Sequence, residues 1–238
     1  VAGDADIAVH SMKDVPADLP EGFAIPAILD RHSPEDAFVS AQHDSVAALP
    51  QGAHVGTSSL RRQAQLLFHR PDLRISPLRG NVNTRLAKLD AGDYDAIILA
   101  RAGLERLAMD DRVRSVIDPE FSLPAVAQGA IGIECLAGSP AAELVASLDD
   151  HATRACVEAE RALSSGLGGS CSVPLGGYCV ADGDGLWLRA VVGAPDGSRL
   201  LRTEARGAVA DRVRIGERAA NDLLGQGADE IISSLKTG

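Results

Sequence analysis

The sequence predicts an α/β chain closed by a small α+β domain, and three observations carry that prediction. Strand-like runs alternate with helical patterns from His54 to Leu107, the layout of a doubly wound sheet with helices on both faces. Asp95-Ala96-Ile97-Ile98-Leu99-Ala100 is apolar on both faces, as a central parallel strand requires. Beyond Asp150 one helical pattern gives way to three strands, separated by Asp182-Gly183-Asp184-Gly185 and Pro195-Asp196-Gly197 turns, which describes an antiparallel sheet with helices on one face.

In order, Asp6-Ile7-Ala8-Val9 reads as a buried strand, followed by the polar cluster His10 to Pro16 at its carboxyl end. Open α/β sheets place ligands there. Lys13 and Asp14 supply a cation and a carboxylate, with a surface ion pair or helix cap as the plain alternative. Phe23 to Leu29 and Ala37 to Ser40 read as strands, and Asp30 to Pro34 as a crossing or hinge between them. His54-Val55-Gly56 ends a strand, Thr57-Ser58-Ser59 forms a turn and N-cap, and Leu60 to His69 reads as a helix. The unit then repeats, with a strand over Leu73 to Leu78, a turn at Gly80-Asn81 and a helix over Val82 to Ala91. Arg101 to Leu107 continues as a short helix, and the segment through Asp118-Pro119 and Leu123-Pro124 as a connection. A strand over Ala130 to Leu136 and a helix over Pro140 to Leu148 follow. Ala152, Ala155, Cys156, Ala159 and Leu163 then mark one face of an amphipathic helix. That helix runs into the loop Gly166 to Pro174; strands near 173–181, 186–194 and 199–206 and helices near 209–224 and 228–236 complete the chain.

The formal charge is −10, yet between Gly56 and Lys88 the cations Arg61, Arg62, Arg70, Arg74, Arg79, Arg85 and Lys88 face a single acid, Asp72. A basic concentration in an acidic chain points to a focused anion site, because the local field outweighs net charge. Each strand-to-helix turn there offers free backbone N–H groups and hydroxyls at a helix N-terminus, where anions bind well. A solvated basic helix face is the bland alternative. Aromatic content of 3% argues against a stacking platform for single strands, and the acidic balance against duplex nucleic acid. No run reaches membrane-spanning length, and no secretion signal is visible. Cys135, Cys156, Cys171 and Cys179 lack metal-ligand spacing, so the expectation is no metal and a reducing, cytoplasmic setting. Cys171, alone on a glycine-flanked loop, is the candidate reactive thiol; the other three read as inert core.

Five stretches in order resemble the porphobilinogen deaminase (hydroxymethylbilane synthase) family. They are His10-Ser11-Met12-Lys13-Asp14, Gly56 to Arg62, Leu78 to Leu86, Pro124-Ala125-Val126-Ala127-Gln128-Gly129, and Gly168 to Pro174. The resemblance implies a transferase that joins four porphobilinogen molecules head to tail, releasing ammonia, in tetrapyrrole (haem-type) biosynthesis. It implies a dipyrromethane cofactor held by thioether at Cys171 and a catalytic carboxylate at Asp14. It further implies cofactor and substrate ligands at Ser11, Lys13, Thr57, Ser58, Ser59, Arg61, Arg62, Arg79, Gly80, Arg85 and Arg106. For the fold it implies two doubly wound domains like type II periplasmic binding proteins and a small α+β C-terminal domain. Their expected bounds are 1–29 with 130–148, 34–123, and 150–238. The expected partner is a small molecule, with no nucleic acid or membrane, and the expected state a monomer.

Some features depart from the pattern. The family carries a leading segment before Asp6, with a further Arg, a further Ser and a lid, so the first domain is expected to be incomplete, with an open sheet edge. Ser172 stands where Gln is common, and Asn83 where Gly or Asp is common. Two other functions stay open: an inactive piece of the enzyme, and a non-catalytic anion-binding module. A pure anion binder has no use for Asp14, whose charge repels its ligand.

Overall fold

A computed structural model describes residues 5–16, 19–169 and 173–235. In chain order the strands are β1 (Ala8–Ser11), β2 (Phe23–Ile28), β3 (Asp36–Val39), β4 (His54–Gly56), β5 (Arg74–Ser76), β6 (Ala96–Ala100), β7 (Ser115–Ile117), β8 (Ile131–Leu136), β9 (Leu175–Asp182), β10 (Gly185–Gly193) and β11 (Leu200–Ala208). The α-helices are α1 (Leu60–His69), α2 (Val82–Asp90), α3 (Arg101–Glu105), α4 (Pro140–Val145), α5 (His151–Gly166), α6 (Arg212–Gly225) and α7 (Ala228–Ser234).

The chain is mixed α/β, built on three sheets. One has the order β5-β4-β6-β3-β7. Its two faces are buried by alternate residues of the same strands: Phe38 and Ile98 pack with Leu66 and Leu73, while Val39, Ile97 and Leu99 pack with Leu78, Leu86 and Leu104. This two-sided burial is what the apolar run at 96–100 encodes. The expected parallel pairing holds for β4 with β5 and β6, whereas β3 runs antiparallel to β6 and β7. Strand β7 lies where the sequence suggested only a connection. The second sheet, β1-β8-β2, is antiparallel throughout. The third is the expected antiparallel meander, β11-β10-β9, and α5 and α6 share its core through Ala159, Leu163, Leu188, Ile215 and Leu223.

Two crossings join the first two sheets, Leu29 to Glu35 and Pro124 to Gly129. They touch where Gly129, at φ +91°, lies so close that a Cβ would sit 2.5 Å from the His32 carbonyl oxygen. Only glycine tolerates that approach and that φ together. One carboxylate ties both crossings to the third sheet. Glu160 of α5, with no exposed surface, accepts from Arg31 Nη1 (2.6 Å) and Nη2 (3.1 Å), from the Ala127 N–H (2.5 Å) and from the Cys179 N–H (2.8 Å).

Strand β1 corrects the expectation of a buried strand at Asp6 to Val9. It starts two residues later than Asp6-Ile7 suggested, forms the edge of its sheet among the described residues, and leaves Ile7 41% and Val9 62% exposed. Beside it Leu144 is 77% exposed, and a groove of about 780 Å³ runs between β1, β8 and α4. An unpaired edge flanked by apolar surface promotes association. Concentration-dependent light scattering of the purified chain should therefore rise, and Val9→Lys should suppress it; a monodisperse chain at high concentration would contradict this.

Candidate functional site

The residues that could do chemistry meet where the three sheets approach one another. The turn Met12–Asp14 winds as a single 3-10 turn directly after β1, so Met12 is buried while Asp14 is turned outward. Arg161 of α5 holds the next two residues, donating from Nη1 to the Val15 carbonyl (3.2 Å) and from Nη2 to the Pro16 carbonyl (2.6 Å). Opposite, Ser59 caps α1, its Oγ accepting from the Arg62 N–H, and Asn81 caps α2 in the same way with Thr84. The two turns sit side by side because β4 and β5 pair in parallel, Gly56 opposite Ser76. Ser58 Oγ bridges them, donating to the Leu78 carbonyl at 2.9 Å.

A cavity of about 220 Å³ is lined by Lys13, Asp14, Ser59, Arg61, Arg62 and Arg161, with Ser164, Gly169 and Val173 of the third unit closing it. Cys171 itself lies outside the described residues, but Gly169 and Val173, which bracket its loop, both line the cavity. The other cysteines, Cys135, Cys156 and Cys179, are buried free thiols.

Not every expected residue reaches the cavity. Ser11 ends β1 half-buried, and Thr57 is buried, its Oγ1 accepting from the Ser59 N–H. Arg79 and Gly80 are exposed on the second turn, and Arg85 donates from Nε to the Gly80 carbonyl at 2.8 Å. Burial, and after it the nearby Arg62 charge, disfavour the charge on Arg85. Gly80 at φ +116° makes that turn possible. Arg106 is exposed and donates from Nη2 to the Gly129 carbonyl at 3.2 Å, fastening the second crossing.

Sequence reasoning missed what holds the two best-placed arginines. Arg61 and Arg62 are buried, and both guanidinium groups bind Asp36, itself 1% exposed. Burial opposes charge on Asp36, but the arginines outweigh it and hold the carboxyl far below the usual range. Their Nη groups are thus engaged, while the buried Nε of each has no hydrogen-bond partner among the described residues. What the pair offers the cavity is charge, which suits an anionic ligand such as a carboxylate. A dipyrromethane bears such carboxylates, so the cationic lining and the bracketing of the Cys171 loop fit that group.

Lys13 supplies a pH signature. Burial and the Arg62 charge push its ammonium down to about 8 from 10.5, with Asp14 and Asp36 pulling partly upward. Between these values the unfolded chain binds more protons, so this group raises stability as pH climbs from about 8 toward 10.5. Binding of an anion runs the other way, weakening above about 8 as Lys13 loses its proton. Thermal melts and anion titrations across that range should show the opposite slopes, and Lys13→Met should flatten both.

Residues 1–143 match the family model described as porphobilinogen deaminase, dipyromethane cofactor binding domain, and residues 154–225 that described as porphobilinogen deaminase, C-terminal domain. Among solved structures, the chain is similar to a Bacillus subtilis lipoprotein described as methionine-binding, at 11% identity and TM-score 0.38, covering 53% of this chain and 61% of that one. It is also similar to the Bordetella pertussis BvgS VFT2 domain in double-mutant form, at 15% identity and TM-score 0.37, covering 61% and 60%. The chain thus spans about three fifths of the length of these two structures, covering 61% and 60% of them.

Proposed function

Given that the chain belongs to the porphobilinogen deaminase family, we propose that it joins four porphobilinogen molecules head to tail into linear hydroxymethylbilane, releasing ammonia at each coupling. On this reading it works in tetrapyrrole biosynthesis, in the cytoplasm, with dipyrromethane held by thioether at Cys171. The observation that carries the proposal is the sharing of one cavity by Asp14, Lys13, Arg61, Arg62 and both flanks of the Cys171 loop.

The dipyrromethane, when bound, supplies the nucleophilic pyrrole to which the first substrate is added. Lys13 and the positive charges of Arg61 and Arg62 would attract the acetate and propionate groups of the pyrroles, a charge-assisted bond from Lys13 contributing about 1.5–3 kcal/mol. Asp14 would stand by the substrate's pyrrole N–H, where its negative charge opposes the positive charge that grows as ammonia leaves. The same carboxylate can accept and return the proton at each coupling. Arg161 keeps Asp14 in place through the Val15 and Pro16 carbonyls.

The domain division 1–29 with 130–148, 34–123 and 150–238 belongs to the same proposal, each unit carrying one sheet. Incubation with porphobilinogen, following its loss and ammonia release, tests the activity. Stoichiometric turnover is expected. Binding without turnover favours an inactive piece or a plain anion-binding module.

A further inference from the structure

We propose that Asp36 is a positioning residue, which sets the direction of Arg61 and Arg62 and tempers their field on Lys13. The inference rests on the reading of the cavity as the anion site. Adjacent residues on a helix project in different directions, so Arg61 and Arg62 do not converge unaided. Here both reach one buried carboxylate: Asp36 Oδ2 accepts from Arg61 Nη1 at 2.8 Å, and Oδ1 from Arg62 Nη2 at 2.7 Å and Arg61 Nη2 at 3.2 Å. Backbone carbonyls fix the far sides, Leu123 for Arg61 Nη1 (2.7 Å) and Ile98 for Arg62 Nη1 (3.0 Å). Gln128 completes the set, donating from Nε2 to Asp36 Oδ1 (2.9 Å) and to the Pro34 carbonyl (2.6 Å). The arginine pair is thereby locked to both crossings, and neither Nε has a partner among the described residues.

Charge follows geometry. Two arginines and one carboxylate leave one net positive charge beside Lys13. The charged groups facing Lys13 are Asp14 on its own turn, Arg61 and Arg62 on α1, Asp36 on β3 and Arg161 on α5. Removing only the Asp36 charge doubles the local excess and makes the lysine proton easier to lose.

Competitive acetylation of the purified chain with acetic anhydride across pH, read by peptide mass spectrometry, reports that proton directly, and Lys88 on α2 serves as internal reference. In the Cys171→Ala background, which carries no dipyrromethane carboxylates beside Lys13, the Lys13 midpoint should fall at about 8. In Asp36→Asn it should move to lower pH, with labelling near pH 7.5 about threefold faster relative to Lys88. Asp36→Glu, which keeps the charge, should return the midpoint toward native. If Asp36→Asn does not fold, the comparison is Arg62→Gln against Arg62→Gln/Asp36→Asn, and the double variant should have the lower midpoint. An unchanged midpoint in whichever pair folds overturns the proposal. The labelling uses no porphobilinogen, so the midpoints stand or fall independently of turnover.

Discussion

Asp14→Asn is expected to lower porphobilinogen turnover by about a hundred- to a thousandfold while binding of the pyrrole carboxylates holds or improves. The amide keeps the size and one acceptor of Asp14 but removes the charge that opposes the cation forming as ammonia departs. Losing one such stabiliser in a shielded site typically costs roughly 2.7–4 kcal/mol. Binding behaves differently because Asp14 shares its cavity with Lys13, Arg61 and Arg62, and its charge repels a carboxylate ligand. Arg62→Ala should show the reverse pattern, weakening binding before it slows the chemistry. Parallel titration and turnover assays on both variants distinguish the roles. Near-native turnover in Asp14→Asn would remove Asp14 from the chemistry.

The largest effect on stability is expected from Glu160→Ala. Its carboxylate has no exposed surface and four donors, two of them from Arg31. Burial opposes charge on Arg31, but Glu160 outweighs it and raises the pKa of the guanidinium. Removing Glu160 strands that cation and two N–H groups, and breaking a buried pair this way costs about 3–5 kcal/mol. For a chain of this size that corresponds to a fall of roughly 6–20 °C in Tm. The double change Arg31→Leu/Glu160→Leu should recover part of the loss, since no charge is then left unpaired. A fall of under a degree or two in Glu160→Ala, read by calorimetry, would show that the crossings are held some other way.

What was legible in the sequence is what local chemistry encodes. Ser59 announces its helix because a side-chain cap acts within three residues, and that cap forms; Asn81, read only as part of a turn, caps α2 in the same way. The glycine turns of the third sheet likewise fix their hairpins. Strand direction was not legible: the apolar pattern of β3 records burial on two faces and is the same for either orientation. Strand β7 has only three residues, among them an exposed Val116, too few to show a period. The partners of the site were missed for a related reason. Asp36 meets Arg61 from 25 positions away, and Glu160 meets Arg31 from 129, so neither carboxylate carries a signal in its own neighbourhood. Of the arginines counted between Gly56 and Lys88, Arg61 and Arg62 line the cavity, whereas Arg79 is exposed and Arg85 donates to the Gly80 carbonyl of its own turn.

The central claim, that this cavity serves a thioether-linked dipyrromethane on Cys171, is tested most directly by intact mass of the purified chain followed by peptide mapping. The account predicts one dipyrromethane increment, mapped to the peptide holding Cys171 and lost in Cys171→Ala, with Cys135, Cys156 and Cys179 unmodified. An unmodified Cys171, or the adduct on one of the buried thiols, would contradict it.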